Sequence, residues 1–324
     1  MTLDIAPDVF YHRAIMNVGV SGRLSFFTIL VLAGSASWLA AETFRVATYN
    51  VENYLDAPAP KRHLKSPEAK AKVRESILAI KPDVLALEEM GTTNALLELR
   101  GSLKSAGLDL PYWEHITGAD TNIHIAILSR FPIIARRPHT NDSFLLTGRR
   151  YRVGRGFAEV DVQVATNYTV TVLAAHLKSR RTVAMGDEAE LRLEEAKLLR
   201  ERVDALLGST PEARLVVLGD LNDSKDAPST KAIIGKGKRK LVDTRPAERE
   251  PAGTPPLEPA SEASKIAWTH FYDLEDSFSR IDYILLSPAL ARDWVKSETY
   301  VLRIPNWAVG SDHRPIVASF QTSP

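Results

Sequence analysis

The chain of 324 residues has no cysteine. Disulfides, thiolate zinc centres and cysteine nucleophiles are therefore excluded. It also lacks an excess of either charge: 41 Lys and Arg stand against 40 Asp and Glu, a net charge of +1. Nothing global draws such a chain onto nucleic acid or an acidic membrane, so any attraction of that kind must come from a local patch. No internal repeat is obvious, and the length suits one large domain or two small ones. The apolar run LSFFTILVLAG at 24–34 is too short for a membrane span and gives way to Gly34, Ser35 and Ser37.

That run has the length of a signal-peptide core. Arg13 and Arg23 precede it and small residues follow, with a cleavage zone near Ala41. A start at Met16 would give a leader of more usual length. Residues 1–41 are thus expected to be a leader that exports the protein to the periplasm or the medium, with a membrane anchor the less favoured alternative. Hydrophobic residues make up 44% and charged residues 25%, enough for a sizeable core in residues 42–322.

Beyond residue 42 short apolar runs alternate with helical stretches. FRVATYN (44–50) reads as a strand and DVLALEEM (83–90) as a buried strand. Between them Ser66 caps a helix with Pro67 in its first turn and Val73, Ile77 and Ile80 on one face. NALLELRGSL (94–103) reads as a short helix, and HIAILSRFPII (124–134) as a strand broken at Pro132. GFAEVDVQV and YTVTVLAAHL alternate with period two around a turn at Thr166-Asn167, the pattern of an antiparallel pair. Residues 187–207 are helical, ARLVVLGDLN is a buried strand, and SRIDYILLS and PIVASF are the last strands. Residues 245–264 hold five prolines and read as a long surface loop. Strands outnumber helices, which predicts a layered α/β or α+β domain with packed sheets inside and helices outside.

Polar groups recur where apolar strands end: Asn50, Glu88-Glu89, His176, Asp220 with Asn222, and Asp312-His313, with Asp282 inside SRIDYILLS. Any one Asp or Asn after a strand is ordinarily a turn residue. An Asp inside an apolar strand is harder to dismiss, because burying it unpaired is costly. Strand ends converge at one edge of a sheet, so the set is expected to meet in one cleft.

The blocks TYNVEN (48–53), DVLALEE (83–89), AILSRFPI (126–133), AAHLKS (174–179), GDLND (219–223), RIDYIL (280–285) and SDHRPI (311–316) occur in that order. Together they resemble the endonuclease/exonuclease/phosphatase superfamily, across essentially all of 42–320. Its members include deoxyribonucleases, exonucleases, abasic-site endonucleases, inositol polyphosphate 5-phosphatases and neutral sphingomyelinases. The resemblance implies a four-layered α-β-β-α sandwich of two packed mixed sheets flanked by helices, with the catalytic domain over 42–322. It implies hydrolysis of a phosphoester by water attacking a metal-bound phosphate, with Mg²⁺, or alternatively Mn²⁺ or Ca²⁺, as the ion. Glu89 then corresponds to the principal metal ligand, assisted by Asn50 and Asp312. Asp220 corresponds to the residue that positions or deprotonates water, Asn222 to a donor to the phosphate, and Asp282 to the carboxylate that orients His313. His176 resembles the second histidine of the deoxyribonuclease and sphingomyelinase branches. The family often has Gln where this chain has Glu88. Adjacent strand residues face opposite sides, so Glu88 is expected to point away as a surface residue.

Such chemistry suits these residue types. A phosphodiester repels nucleophiles, and a hard cation on oxygen ligands offsets its charge. Preorganised donors stabilise the charge that grows on the phosphoryl oxygens. Three basic groups are candidates for substrate contact: Arg149, Arg150, Arg152 and Arg155; Lys178, Arg180 and Arg181; and KGKRK (236–240), which includes Lys238 and Arg239. From these, Lys178, Arg180, Lys238 and Arg239 are expected to bind substrate. Nucleic acid is the favoured substrate, in a monomer that needs no protein partner. A sphingomyelinase-type phospholipid phosphodiesterase and a small-molecule phosphatase are the alternatives. The lipid reading needs an exposed apolar loop, for which AWTHFY (267–272) and Trp307 are candidates; no long aromatic hairpin is evident. A non-catalytic binding module is disfavoured, because Asn50, Glu89, Asp220, Asn222, Asp282, Asp312 and His313 are all present.

Overall fold

A computed structural model describes residues 42–60, 62–182, 186–251 and 267–322. The leader expected over 1–41 and most of the loop expected over 245–264 lie outside the described residues. Among the described residues no helix is long and apolar enough to cross a membrane.

The elements follow as β1 (Thr43–Tyr54), α1 (Pro67–Ile80), β2 (Val84–Met90), α2 (Thr93–Ser105), β3 (Tyr112–Ile116), β4 (His124–Ser129), β5 (Ile133–His139), β6 (Ser143–Leu146), β7 (Arg149–Arg152), β8 (Phe157–Ala165), β9 (Tyr168–His176), α3 (Glu188–Ser209), β10 (Leu215–Asp220), α4 (Pro228–Ile234), β11 (Val242–Asp243), β12 (Ala247–Arg249), β13 (His270–Tyr272), β14 (Ser277–Ser279), β15 (Asp282–Leu286), β16 (Trp294–Leu302) and β17 (Ile316–Gln321). One sheet has the order β12-β16-β17-β1-β2-β4-β3, and the second β11-β15-β10-β9-β8-β5. Both are mixed: β1 runs parallel to β2 and β9 to β10, while β17 and β15 run antiparallel to β1 and β10.

Alternation along the strands builds three apolar layers. Val46, Val84 and Ala86 face Val160, Val172, Val216 and Ile284 between the sheets. Ala47, Leu85 and Leu87 face the opposite way, onto Val73, Ile77 and Ile80 of α1 and Leu96 and Leu99 of α2. Leu173, Val217 and Leu285 pack on Leu199 and Val203 of α3. These contacts give the four-layered α-β-β-α sandwich, and they explain why β2 reads as a continuous apolar run: it is covered on both faces.

Local chemistry places the ends. Ser66 Oγ accepts the Ala69 N–H (3.1 Å), Pro67 opens α1, and Lys81 closes it in the left-handed region just before Pro82. The break at Pro132 does more than interrupt a strand. It sends β4 into the first sheet and β5 into the second. Part of the expected 245–264 loop is ordered differently: β12 pairs in parallel with β16 at the sheet edge. An edge pairing rests on backbone groups and needs no apolar pattern, so composition does not reveal it.

An ion network crosses β5 and β8. Both terminal nitrogens of Arg137 donate to Asp161 (2.8 and 2.6 Å), its Nε donates to Glu159, and His139 Nε2 lies 2.7 Å from Glu159. Burial opposes the charge on both carboxylates. Hydrogen bonds from His139 and Arg137 to Glu159, and from Arg137 and Thr171 to Asp161, outweigh it and hold both pKa values below the ordinary range. A depressed carboxylate contributes stability that is present above its unfolded pKa and is lost as pH falls through the folded one. The thermal midpoint is therefore expected to drop on acidification below about pH 4. Arg137→Ala should lower the midpoint at neutral pH and flatten that acid slope, read by calorimetry across a pH series; an unchanged slope would exclude the network as its source.

Candidate active site

Strand direction gathers the polar strand ends. Because β1 and β2 are parallel, Asn50 lies level with Glu88. Because β9 and β10 are parallel and β15 is antiparallel, His176 and Asp282 both lie level with Asp220. The entry to β17 carries Asp312 and His313 to the same end, since β17 runs against β1. There the sheets open into a cleft of about 490 Å³ whose lining includes Asn50, Glu89, His176, Asp220, Asp312 and His313.

Asp220 is the hub and is almost fully buried. Its Oδ1 accepts the Asn222 N–H (2.9 Å), and its Oδ2 accepts from Asn50 Nδ2 (3.0 Å) and Asn222 Nδ2 (3.2 Å). His176 Nε2 lies 3.5 Å from Oδ2 and His313 Nε2 3.8 Å. His313 Nδ1 lies 2.9 Å from Asp282 Oδ2, so the carboxylate fixes the ring's orientation. Ser311 Oγ accepts the His313 N–H (3.0 Å) and donates to the Asn50 carbonyl (2.8 Å), tying β1 to the β17 entry. Gly219 has φ +126°, and a Cβ there would lie 2.0 Å from the Ala175 carbonyl oxygen, so only glycine lets β9 and β10 close to this spacing. Glu89 and Asn222 hold φ values of 60° and 56°, a strained conformation found at both carboxylate-bearing turns.

The charges oppose one another. Burial would favour neutral His313, but Asp282, Asp312 and Asp220 outweigh it and hold its pKa well above the ordinary value. His176 goes the other way: burial, then the charges of Arg155, His313, Arg62 and Lys178, push it well below. Burial and the Asp282 charge push Asp220 up to about 7. The two imidazoles are thus pushed in opposite directions within one cleft.

The donor set fits a hard divalent cation. Glu89, Asp312 and Asn50 offer oxygen ligands at the cleft. A further carboxylate, Glu52, is pushed up by burial, by Asp312 and by Glu89, a crowding of negative charge that a cation would relieve. Ligand atoms of His270, Asp312 and His313 come within 4.8 Å of one another, as do those of Asp220, Asp282 and His313. In this structure the Asn50 amide is already engaged, with Oδ1 accepting the Glu52 N–H (3.0 Å).

Several expectations need correction. Glu88 is no surface residue: it is fully buried between the sheets, where its Oε1 accepts from Thr48 Oγ1 (2.8 Å). Adjacent residues do face opposite sides, but both sides of β2 are covered, and the positive φ of Glu89 turns that side chain to the strand end. Asn222 is not a free donor, because its Nδ2 serves both Asp220 and the Leu177 carbonyl (3.0 Å). Lys178 points to the carbonyls of Ser179 (2.8 Å) and Arg181 (3.0 Å), folding its own loop. Lys238 and Arg239 lie on a separate shallow surface with Arg200 and Asp204. The chain enters β11 beside Leu286, the end of β15 remote from Asp282, and that register keeps KGKRK away from the cleft. Arg180 does line the cleft and donates through Nε to the Asn222 carbonyl (3.2 Å).

Sequence reasoning missed Arg62 and His270 as site residues and did not single out Arg155 within its basic group. Arg62 lies 3.5 Å from Glu89 and 3.8 Å from Asp120. Arg155 is nearly buried, and its Nε has no hydrogen-bond partner. His270 comes in through backbone pairing with His313, which sets the two rings 4.6 Å apart. None of the three sits in a periodic apolar pattern, so only the ordered blocks around them offered a signal.

A family model described as the Endonuclease/Exonuclease/phosphatase family matches residues 47–313. No curated protein sequence matches the chain. Solved structures share its architecture. Truncated Caenorhabditis elegans TDP2 is 16% identical over 86% of this chain and 98% of its own, with a TM-score of 0.55. An endonuclease/exonuclease/phosphatase from Beutenbergia cavernae DSM 12333 is 21% identical over 87% and 72%, with a TM-score of 0.56. Beta toxin 275-280 from Staphylococcus aureus is 17% identical over 85% and 99%, with a TM-score of 0.59. At these identities the likeness is one of fold.

Glu88 generates a prediction. Burial, then the Asp282 charge, raises its pKa well above the ordinary carboxyl value. A raised folded pKa means the native state keeps a proton that the unfolded chain loses, so this group's effect on stability worsens as pH rises above about 4.3. Glu88→Gln keeps the Thr48 hydrogen bond without the proton linkage. Its thermal midpoint at about pH 7 is expected to equal or exceed that of the parent, with a shallower decline toward alkaline pH; a large drop would show that an ionised Glu88 is needed.

Proposed function

The chain belongs to the endonuclease/exonuclease/phosphatase family, a superfamily of metal-dependent phosphoester hydrolases, and from that premise we propose that it cleaves phosphodiester bonds of nucleic acid. The observation that carries the reading is the Asp282–His313–Asp220 alignment at the floor of a cleft walled by Arg62, Arg155 and Arg180. Cationic walls suit a polyanion, and phosphate contacts by themselves carry no sequence preference.

Glu89, with Asp312 and Asn50, would hold a divalent ion, best Mg²⁺ for an oxygen donor set, which when bound neutralises phosphate charge. Asp220 takes the proton of the attacking water; a buried carboxylate near neutral pKa is matched to that task. As the P–O bond to the leaving oxygen breaks, His313, oriented by Asp282 and with its pKa raised by the surrounding carboxylates, would give that oxygen its Nε2 proton. Neutral His176 shares the Asp220 carboxylate and keeps its Oδ2 facing the cleft. Asn50 and Asn222 fix that carboxylate in place, so its orientation is preset before substrate arrives.

A specific observation favours a second reading. The β13–β14 hairpin lines the cleft through Tyr272 and Ser277, and it exposes Leu274 (79%) at its tip and Phe278 (58%) on β14. An apolar rim of this kind suits a phospholipid surface. Trp268 backs this rim: its ring packs on Phe278 and Trp307 and is covered by the Arg314 guanidinium at 3.3 Å.

Supercoiled plasmid and RNA are the first substrates to offer, with Mg²⁺ and with EDTA. EDTA is expected to abolish cleavage, and His313→Ala and Asp220→Asn each to lower turnover at least about a hundredfold with the fold intact by circular dichroism. Absence of cleavage, with hydrolysis of phospholipid vesicles instead, would replace the nuclease reading by the second one. Arg155→Ala should raise KM for a short oligonucleotide, whereas neutralising Lys236, Lys238, Arg239 and Lys240 together should leave kcat/KM on that substrate unchanged. The opposite pattern would return KGKRK to the substrate path.

A further inference from the structure

The motif RLEEA at 192–196 lies on α3, outside the cleft, and the mechanism above makes no use of it. Arg192 and Glu195 are one helical turn apart, so both face the same way. Each is only 4% exposed, far more buried than is usual for charged residues of a surface helix.

Apart from the Glu188 carbonyl on α3 itself, which Arg192 Nη1 also reaches (3.4 Å), their partners belong to segments that enter the cleft. One carboxylate oxygen of Glu195 accepts the Gly154 N–H (3.0 Å) and the other the Lys178 N–H (2.6 Å). Gly154 immediately precedes Arg155, and Lys178 follows His176 by two residues. Arg192 Nη1 donates to the Lys178 carbonyl (3.1 Å), and its Nε donates to Asp223 Oδ2 (3.0 Å) in the turn that carries Asp220 and Asn222. Three separate loops thus meet on two side chains of one helix. The other side of the Arg155 segment is pinned as well: the Asp120 N–H bonds the Gly154 carbonyl (2.7 Å), and a Cβ on Gly118 would lie 2.4 Å from the Arg155 backbone. Within the cleft the same loops meet again at the Leu177 carbonyl, which accepts from Asn222 Nδ2 (3.0 Å) and Arg155 Nη1 (3.4 Å).

We infer that Arg192 and Glu195 are positioning residues, a clamp on α3 that holds Arg155, His176 and the Asp220–Asn222 turn in mutual register for catalysis. The inference rests on the phosphoesterase reading of the cleft. The clamp touches no reacting atom and acts only through the backbone it holds. The clamp adds to the contacts these loops share at the Leu177 carbonyl, and displacements of about 1 Å at such groups are enough to lower rates by two orders of magnitude. A buried carboxylate bonded to two amides is a stiff connection, because releasing either leaves a buried donor without a partner.

The test uses Glu195→Gln in the full chain. The amide keeps the volume and one acceptor, but its NH₂ group meets the second N–H and releases one loop. The expected result is kcat about tenfold to a hundredfold lower, with inhibition by inorganic phosphate weakened and with amide exchange accelerated at Gly154 or Lys178. Glu159→Gln, a buried ion-paired carboxylate of the same sheet outside the cleft, serves as control and should lose thermal stability without a change in kcat or phosphate inhibition. Parental kcat and phosphate inhibition in a folded Glu195→Gln protein would overturn the inference, whatever the exchange rates. If that variant does not fold, Arg192→Lys, which keeps the charge and loses the two-point contact, carries the same comparison. A parent chain that hydrolyses no phosphoester overturns the reading of the cleft instead. The clamp is then judged by calorimetric binding of inorganic phosphate: about tenfold weaker binding in the variant supports it, and equal binding, or none to the parent, overturns it.

Discussion

The site depends on charge buried between two sheets. Asp220, Asp282 and Glu88 are all within a few per cent of full burial, and they share one region with His313. Three carboxyl groups cannot all ionise there without compensation. One positive imidazole, one retained proton and the amides of Asn50 and Asn222 provide it. The first sheet supplies Glu88, Asn50 and the entry carrying His313, while the second supplies Asp220 and Asp282. Neither sheet can satisfy its own polar groups alone, so docking of the sheets and assembly of the site are one event. The apolar layer behind them sets the distance, and the polar layer at the strand ends sets the register.

The same constraint explains the local strain. Positive φ at Glu89 and Asn222 and the forced glycine at 219 fall where the two sheets come together. The strand alternation that serves the core has to be broken to aim carboxylates into the opening. The surrounding hydrogen bonds hold these turns in conformations that a free chain would abandon.

Much of this was legible in residue order. The Ser66-Pro67 cap, the Pro82 stop and the period-two arms of β8 and β9 are local signals, and local structure follows them. The ordered blocks located Asp220, Asp282 and His313, whose side chains do converge. What stayed hidden depends on tertiary pairing. Glu88 looks like a surface residue unless both faces of β2 are known to be covered. Lys238 and Arg239 look like a phosphate grip until the register of β11 on β15 places them at the far end. Arg62, Arg155 and His270 reach the cleft through turns and two isolated backbone bridges, and such connections leave no periodic trace. The edge strand β12 hides in a proline-rich segment because backbone pairing alone defines it.

The pairing of β1 with β17 has a consequence for the chain in time. Residue 50 and residue 313 occupy one site, and the strands that carry them are neighbours in the sheet. A chain still being synthesised has Asn50, Glu89, His176 and Asp220 long before it has His313. Its first strand lacks a permanent neighbour on one side until β17 has been made. Long-range pairing of this kind closes late and slowly. The site is therefore assembled from segments far apart in the chain, and no N-terminal fragment that stops before His313 carries the complete set of reacting groups.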